Sequence, residues 1–362
     1  MFPYKNQIRK LYTSSIIGNL SLTGAWVAIL AARGYSLVEI GIAETVFHIV
    51  SLMFEIPSGV LADVFGKKKM LIVSTLMAMV ADVVMILSCN LWMVCLSIGF
   101  RALCYNFASG SGDALAYDSL KLAGQESRFE RYESNQMVIW RCCDGLSTLC
   151  AGFALTIGHQ LAYGVSLITG AIQLLVLSTL QEVSVGERLH GQPLGKRLLS
   201  CFKESLGFLW QVKPALGLMF CNSLVGAVDT LLVFFLQAKL PERGIPAGLL
   251  GLALLFIQMG GIVGSKLILK LPKASYRWIF TGAVALVATG FLAEHSPLYW
   301  VMALGGFLSA IGDDALQVRT NAILQELFPS EQRATLTSME SFTFSVIMIV
   351  LSPLAGIVFT LW

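Results

Sequence analysis

Glu44, His48, Ser51, Glu55 and Gly59 follow one another at steps of 4, 3, 4 and 4 inside a long apolar stretch. On a helix turning about 100° per residue they share one face about 80° wide. Glu44 and Glu55 are then about 16 Å apart along the axis. Two carboxylates with a histidine between them can pass a proton, because imidazole changes charge near neutral pH. Each such group costs about 2.5–3.5 kcal/mol at the centre of an apolar span, so it marks a candidate functional site. A structural alternative stands beside this one: Glu55 braces the turn that follows, and Glu44 lies close enough to one surface to be hydrated.

Other polar residues recur in apolar surroundings. Arg101 shares a face with Tyr105 and Gly112, while Asn106, Asp113 and Tyr117 share another. Arg101 either tunes a neighbouring carboxylate through its charge or closes a structural ion pair. Arg141 and Asp144, spaced i,i+3, can neutralise one another. Asn222 and Asp229 share a face further on. Asp313, Gln317, Thr320 and Asn321 form a cluster, and Thr337 and Glu340 share a side.

Several chemistries are not indicated. The eight cysteines are scattered apart from Cys142 and Cys143, and no Cys/His spacing suggests a metal. There is no P-loop, so ATP is not the energy source. No serine sits in a nucleophile elbow. We read no enzyme, no cofactor and no nucleic-acid surface.

The elements that must carry these residues are membrane spans. Hydrophobic residues make up 56% of the chain and charged residues 13%, against about 25% charged in soluble domains. Eleven apolar segments are long enough to cross a bilayer: 11–32, 38–62, 70–88, 91–118, 137–158, 161–180, 214–237, 246–269, 277–293, 298–323 and 337–360. The first lacks a cleavage site of small residues, so it remains as span 1. With the N-terminus in the cytoplasm, seventeen of the 25 Lys and Arg residues, from Lys5 to Arg333, fall inside. Three fall outside: Arg33, Lys239 and Arg243. This bias sets the orientation in the cell's inner (plasma) membrane. Trp92, Trp300 and Trp362 then lie at the outer boundary and Trp278 at the inner one.

The chain also repeats itself. Gly112-Asp-Ala-Leu115, followed by Gln125-Glu-Ser-Arg128, is echoed by Gly312-Asp-Asp-Ala-Leu316 and Pro329-Ser-Glu-Gln-Arg333. That pattern fits two homologous halves related by an axis along the membrane normal. The halves are 1–180 (spans 1–6) and 214–362 (spans 7–11), joined by a cytoplasmic linker at 181–213. Leu194, Leu198, Leu199, Phe202, Leu206 and Leu209 make an amphipathic helix one reading of that linker; the other is an extension of span 7.

Between spans 2 and 3 runs Gly59-Val-Leu-Ala-Asp-Val-Phe-Gly-Lys-Lys-Lys-Met-Leu71. It resembles the signature loop of the major facilitator superfamily, G-x-L-a-D-r-x-G-r-k-x-x-l. Gly59, Leu61, Asp63, Gly66, Lys67, Lys68 and Leu71 fall in place, and Val64 stands where the usual arginine would be. Glu55-Ile-Pro-Ser-Gly59 and the span 4 run around Ala114-Leu-Ala-Tyr-Asp-Ser-Leu120 are similar to bacterial members, many of which are efflux carriers. The resemblance covers the whole chain. It implies an all-α membrane fold, a gating role for the loop, and a central cavity lined by spans 7, 10 and 11. Arg141, Asp144, Asn222, Asp229, Asp313, Gln317 and Glu340 become candidates for substrate contact. Arg101 sits where the family's second signature has an arginine, although Cys104 and Tyr105 replace the usual Gln-Gly. Asp82 falls on a scaffold span and reads as structural. Span 5 lacks the Gly-Pro-x-x-Gly-Gly element of one group of drug/proton antiporters. Family members normally have twelve spans; eleven are read here, with the C-terminus outside.

The leading expectation is therefore a proton-coupled secondary transporter of a small molecule, an efflux carrier working by alternating access. Glu44, His48, Glu55, Arg101 and Asp113 are its candidates for proton coupling. Its partners are the bilayer, a small-molecule substrate and protons. The alternatives are a proton symporter for a small metabolite, or a non-transporting or inactive family member.

Overall fold

A computed structural model describes residues 4–183, 213–327 and 333–361. The amphipathic stretch 194–209 lies outside the described residues, and so do the side chains of Asp63, Arg333 and Thr337. Among the described residues there are helices and no strands. In lipid this follows from chemistry: an apolar segment has no water to bond its amides, so each must satisfy its own backbone.

Fourteen α-helices run along the described chain: α1 Tyr4–Asn19, α2 Trp26–Ala32, α3 Leu37–Phe65, α4 Lys67–Leu87, α5 Leu91–Ala108, α6 Ser111–Leu122, α7 Phe129–Leu149, α8 Ala151–Ile157, α9 His159–Ser178, α10 Lys213–Glu242, α11 Ala247–Leu267, α12 Tyr276–Ala293, α13 Tyr299–Leu327 and α14 Arg333–Leu361. Nine spans among the described residues are long and apolar enough to cross a membrane, or ten if α7 and α8, bent by 49°, form one. The expected count of eleven is not reached by this measure, because segment 11–32 is divided between α1 and α2. α1 draws in Lys5, Arg9 and Lys10, and α2 is only seven residues long. Span 4 is broken too, at Gly110, whose φ of +71° suits glycine between α5 and α6. Trp92, Leu175 and Trp278 are among many large apolar side chains left exposed, as a lipid-facing surface requires.

The chain forms two compact units. Unit 1 comprises Met1–Gly24, Ile49–Ser147 and Ile157–Glu204; unit 2 comprises Ala25–His48, Thr148–Thr156 and Ser205–Trp362. α3 therefore passes from unit 2 to unit 1 between His48 and Ile49. In unit 1, α4 packs against α5, α6 and α9, and α1 lies on α9 and α6. Leu11, Leu115, Ala116, Leu177 and Leu180 bury Tyr132 in its core. In unit 2, α13 packs against α10, α11 and α12, with α14 on α10.

Glycines set the closest approaches in unit 2. A Cβ on Gly260 or Gly264 of α11 would come within 2.2 Å of the Phe307 or Ile311 carbonyl of α13. Small residues at i,i+4 allow such backbone contact between helices. Gly41 of α3 meets the Ser352 carbonyl of α14 in the same way, and Gly152 of α8 meets Ala247 at the start of α11. The first part of α3 thereby meets α14, and the start of α8 meets α11.

Candidate functional site

A polar cavity of about 320 Å³ lies in unit 2. α10 supplies Asn222, Ser223, Gly226 and Thr230; α13 supplies Asp313, Gln317 and Asn321; α14 supplies Glu340, Ser341 and Phe344. Five residues singled out by sequence, Asn222, Asp313, Gln317, Asn321 and Glu340, thus meet around one space. Asp313 rests against Gly226, where an added Cβ would be 3.2 Å from its carboxylate. Asn222 brings a buried carbonyl oxygen with no hydrogen-bond partner among the described residues. Two carboxylates and three carboxamides with no basic side chain among the described lining residues suit a ligand rich in donors and positive charge.

Asp229 is not in this lining. It is buried and accepts a hydrogen bond from Ser309 Oγ at 2.5 Å, tying α10 to α13. Sequence reading had no local signal for Ser309, which is 80 residues away.

The row on α3 is divided between the units. Glu44 and His48 are both buried in unit 2, with Glu44 Oε1 3.2 Å from His48 Nε2. The other ring nitrogen, Nδ1, is 3.2 Å from Ser345 Oγ on α14. The His48 ring also meets Phe344 edge-on, 5.7 Å between centroids. Phe344 is thus shared: one contact faces the cavity lining and another the imidazole. Ser51 and Glu55 lie in unit 1. Ser51 donates to Asn106 Oδ1 at 3.0 Å, and the Asn106 amide donates back to the Ser51 carbonyl at 2.7 Å, pinning α3 to α5. Glu55 is half-buried, two residues before Pro57.

The remaining unit 1 candidates are placed as follows. Arg101 pairs with the buried Asp82, joining α5 to α4. Asp113 is exposed in the first turn of α6. Arg141 is exposed on α7 and stacks over Trp140 at 4.8 Å. Asp144 is half-buried one turn on.

The loop around Gly66 has its own architecture. Gly66 adopts φ +104°, a conformation nearly reserved for glycine, and starts α4. The Lys67 and Lys68 amides donate to the two carboxylate oxygens of Glu182 at 2.9 and 3.0 Å. An anion thus sits at the positive end of the α4 dipole. The side chains turn elsewhere: Lys67 pairs with Asp118 of α6, and Lys68 donates to the Ser178 carbonyl at 2.7 Å. Leu61 packs beside Ala62, Met70 and Phe107. Gly59 and Asp63 are described by backbone alone, both within α3. Glu182 is the residue sequence reading missed here; its partners are more than a hundred positions away.

The Major Facilitator Superfamily description matches this chain over residues 11–353. The chain belongs to the major facilitator superfamily. An uncharacterized transporter of that superfamily, YxaM of Bacillus subtilis (strain 168), is 22% identical over 340 residues, covering 92% of this chain and 84% of YxaM. Among solved structures, the nucleoside transporter NupG superposes with a TM-score of 0.73 at 15% identity, over 98% of this chain and 91% of NupG. The D-xylose-proton symporter gives 0.67 at 12% identity, over 96% and 89%. At these identities the likeness establishes the shared superfamily fold, an all-helical multi-pass membrane transporter fold.

Proposed function

We propose that this superfamily member is a proton-coupled secondary transporter that exports a small, polar, positively charged molecule by alternating access. In this reading the N-terminus lies in the cytoplasm and the protein in the cell's inner membrane. Asn222, Asp313, Gln317 and Glu340 contact the substrate, and the Glu44–His48 pair carries the proton. The observation that carries the reading is Phe344, which lines the acid-bearing cavity and also packs on the His48 ring. A substrate that moves this ring changes the surroundings of the imidazole, so occupancy and protonation become linked. Ser345, the next residue, holds the other ring nitrogen. The family fold supplies the alternating motion, and the packed glycines at Gly41 and Gly152 supply interfaces that part when it occurs. Glu55, Arg101 and Asp113 in unit 1 are secondary candidates for the proton path, while Gly59, Leu61, Asp63, Gly66, Lys67 and Lys68 form the gate. Arg141 and Asp144 are secondary candidates for substrate contact.

The test pairs two measurements in proteoliposomes. Glu44→Gln should abolish proton flux while a bound cationic substrate, found by a drug-susceptibility panel in a pump-deficient host, is still held. Asp313→Asn should weaken that binding. Unchanged proton flux in Glu44→Gln would refute the proton role, and unchanged binding in Asp313→Asn would refute the cation site.

A further inference from the structure

A second cavity, of about 480 Å³, lies in unit 1 and has the opposite character. Four cationic side chains line it: Lys5 and Arg9 from α1, Arg128 from the turn before α7, and Arg131 from the first turn of α7. No carboxylate is among its described lining residues. Tyr4, Tyr12, Tyr132 and Asn135 complete the polar wall.

The tyrosines are held in place. Tyr132 is 2% exposed and anchored in the core of unit 1. Tyr12 stacks on it with centroids 5.2 Å apart. Asn135 donates to the Tyr12 hydroxyl at 3.0 Å, and Gln136 donates to the Tyr132 hydroxyl at 2.7 Å. Each phenol thus acts as an acceptor toward the protein, which leaves its own O–H to donate. Arg128 lies over the Tyr4 ring at 5.8 Å, which restricts the guanidinium without neutralising it.

We infer that this cavity is a binding site for a phosphate-bearing anion. Membrane orientation calls only for positive charge somewhere in the inner loops. It does not call for charges from two distant chain segments to converge on one cavity, nor for a buried phenol beside them. Guanidinium forks match phosphate oxygens in pairs. Four cations suit a group with more than one negative charge. With the orientation proposed above, the site opens on the cytoplasmic side. Two sources share the required chemistry: the headgroup of an anionic phospholipid in the inner leaflet, and a soluble phosphate compound. The site is independent of the acid-lined cavity, and its failure would leave the transport reading untouched.

The experiment uses the full chain in nanodiscs of phosphatidylcholine, titrated with inorganic pyrophosphate by calorimetry. In parallel, protein from mixed micelles containing phosphatidylglycerol is examined by native mass spectrometry for retained lipid. Saturable pyrophosphate binding, retained phosphatidylglycerol, or both is the expected result. Arg9→Gln and Arg131→Gln should each weaken it about tenfold, the scale of one charge-assisted hydrogen bond. Arg131→Lys should keep most of it, and Lys69→Gln, a basic change outside the cavity, should leave it unaltered. Retention of lipid without pyrophosphate binding assigns the headgroup, and the reverse assigns a soluble phosphate compound. Absence of both in the wild-type protein overturns the inference whether or not the variants insert. Equal weakening by Lys69→Gln overturns it as well, because the attraction would then be general to the basic surface.

Discussion

Replacing Gly66 by alanine disturbs two features together. The backbone there is at φ +104° and ψ 143°, a region almost closed to residues with a Cβ, where strain of about 1–3 kcal/mol is normal. The new methyl would also lie 2.6 Å from Glu182 Oε2 and 2.8 Å from its Cδ, so the carboxylate must leave the Lys67 and Lys68 amides. Losing a helix cap costs about 1 kcal/mol, and the exposure of this cap argues against more. Gly66→Ala should therefore destabilise unit 1 by about 2–4 kcal/mol, and Glu182→Gln alone by about 1 kcal/mol. The two act through the same cap, so the double variant should be no worse than Gly66→Ala. The coupling should be about 1 kcal/mol, well above the scatter of independent sites. Denaturant unfolding of the four purified proteins in one detergent measures this cycle. Additive effects would show that Glu182 does not cap α4, and an unchanged Gly66→Ala protein would refute the backbone argument.

Three further outcomes are expected. Lys67→Met should cost about 3 kcal/mol, because it leaves the buried Asp118 without its cation, and adding Asp118→Asn should recover most of the loss in the same unfolding assay. Ser309→Ala should cost about 1.5–3 kcal/mol by removing the donor 2.5 Å from the buried Asp229, with little further loss when Asp229→Asn is added. Gly152→Val should separate α8 from α11, since even a Cβ there would lie 1.8 Å from the Ala247 carbonyl; maleimide labelling of Cys150, with the other cysteines replaced by serine, should speed up severalfold.

Much of this architecture was legible in the residue order. Segments 38–62, 70–88 and 277–293 correspond to α3, α4 and α12 within a few residues. The reason is local: a backbone in lipid must bond to itself, so length and hydropathy alone specify a helix. Membership of the superfamily was legible for a related reason, as the glycine, the lysines and their spacing in the loop after α3 reflect a turn made by neighbours in the chain. The resemblance, and not spacing, implied one cavity lined by these spans; Asn222, Asp313, Gln317 and Glu340 do meet there, whereas Asp229, which spacing put on the face of Asn222, does not line it.

Pairing was not legible. Arg101 meets Asp82, Lys67 meets Asp118, His48 meets Ser345 across 297 positions, and Glu182 reaches the amides of α4. The division of one α3 face between two compact units, with Glu44 and His48 on one side and Ser51 and Glu55 on the other, has no mark in the sequence either. A helix period states which residues share a face; it does not state what that face meets. That depends on how closely two helices approach, which side-chain volumes and glycines at distant positions settle jointly, and a buried charge then takes whichever partner the approach brings within reach.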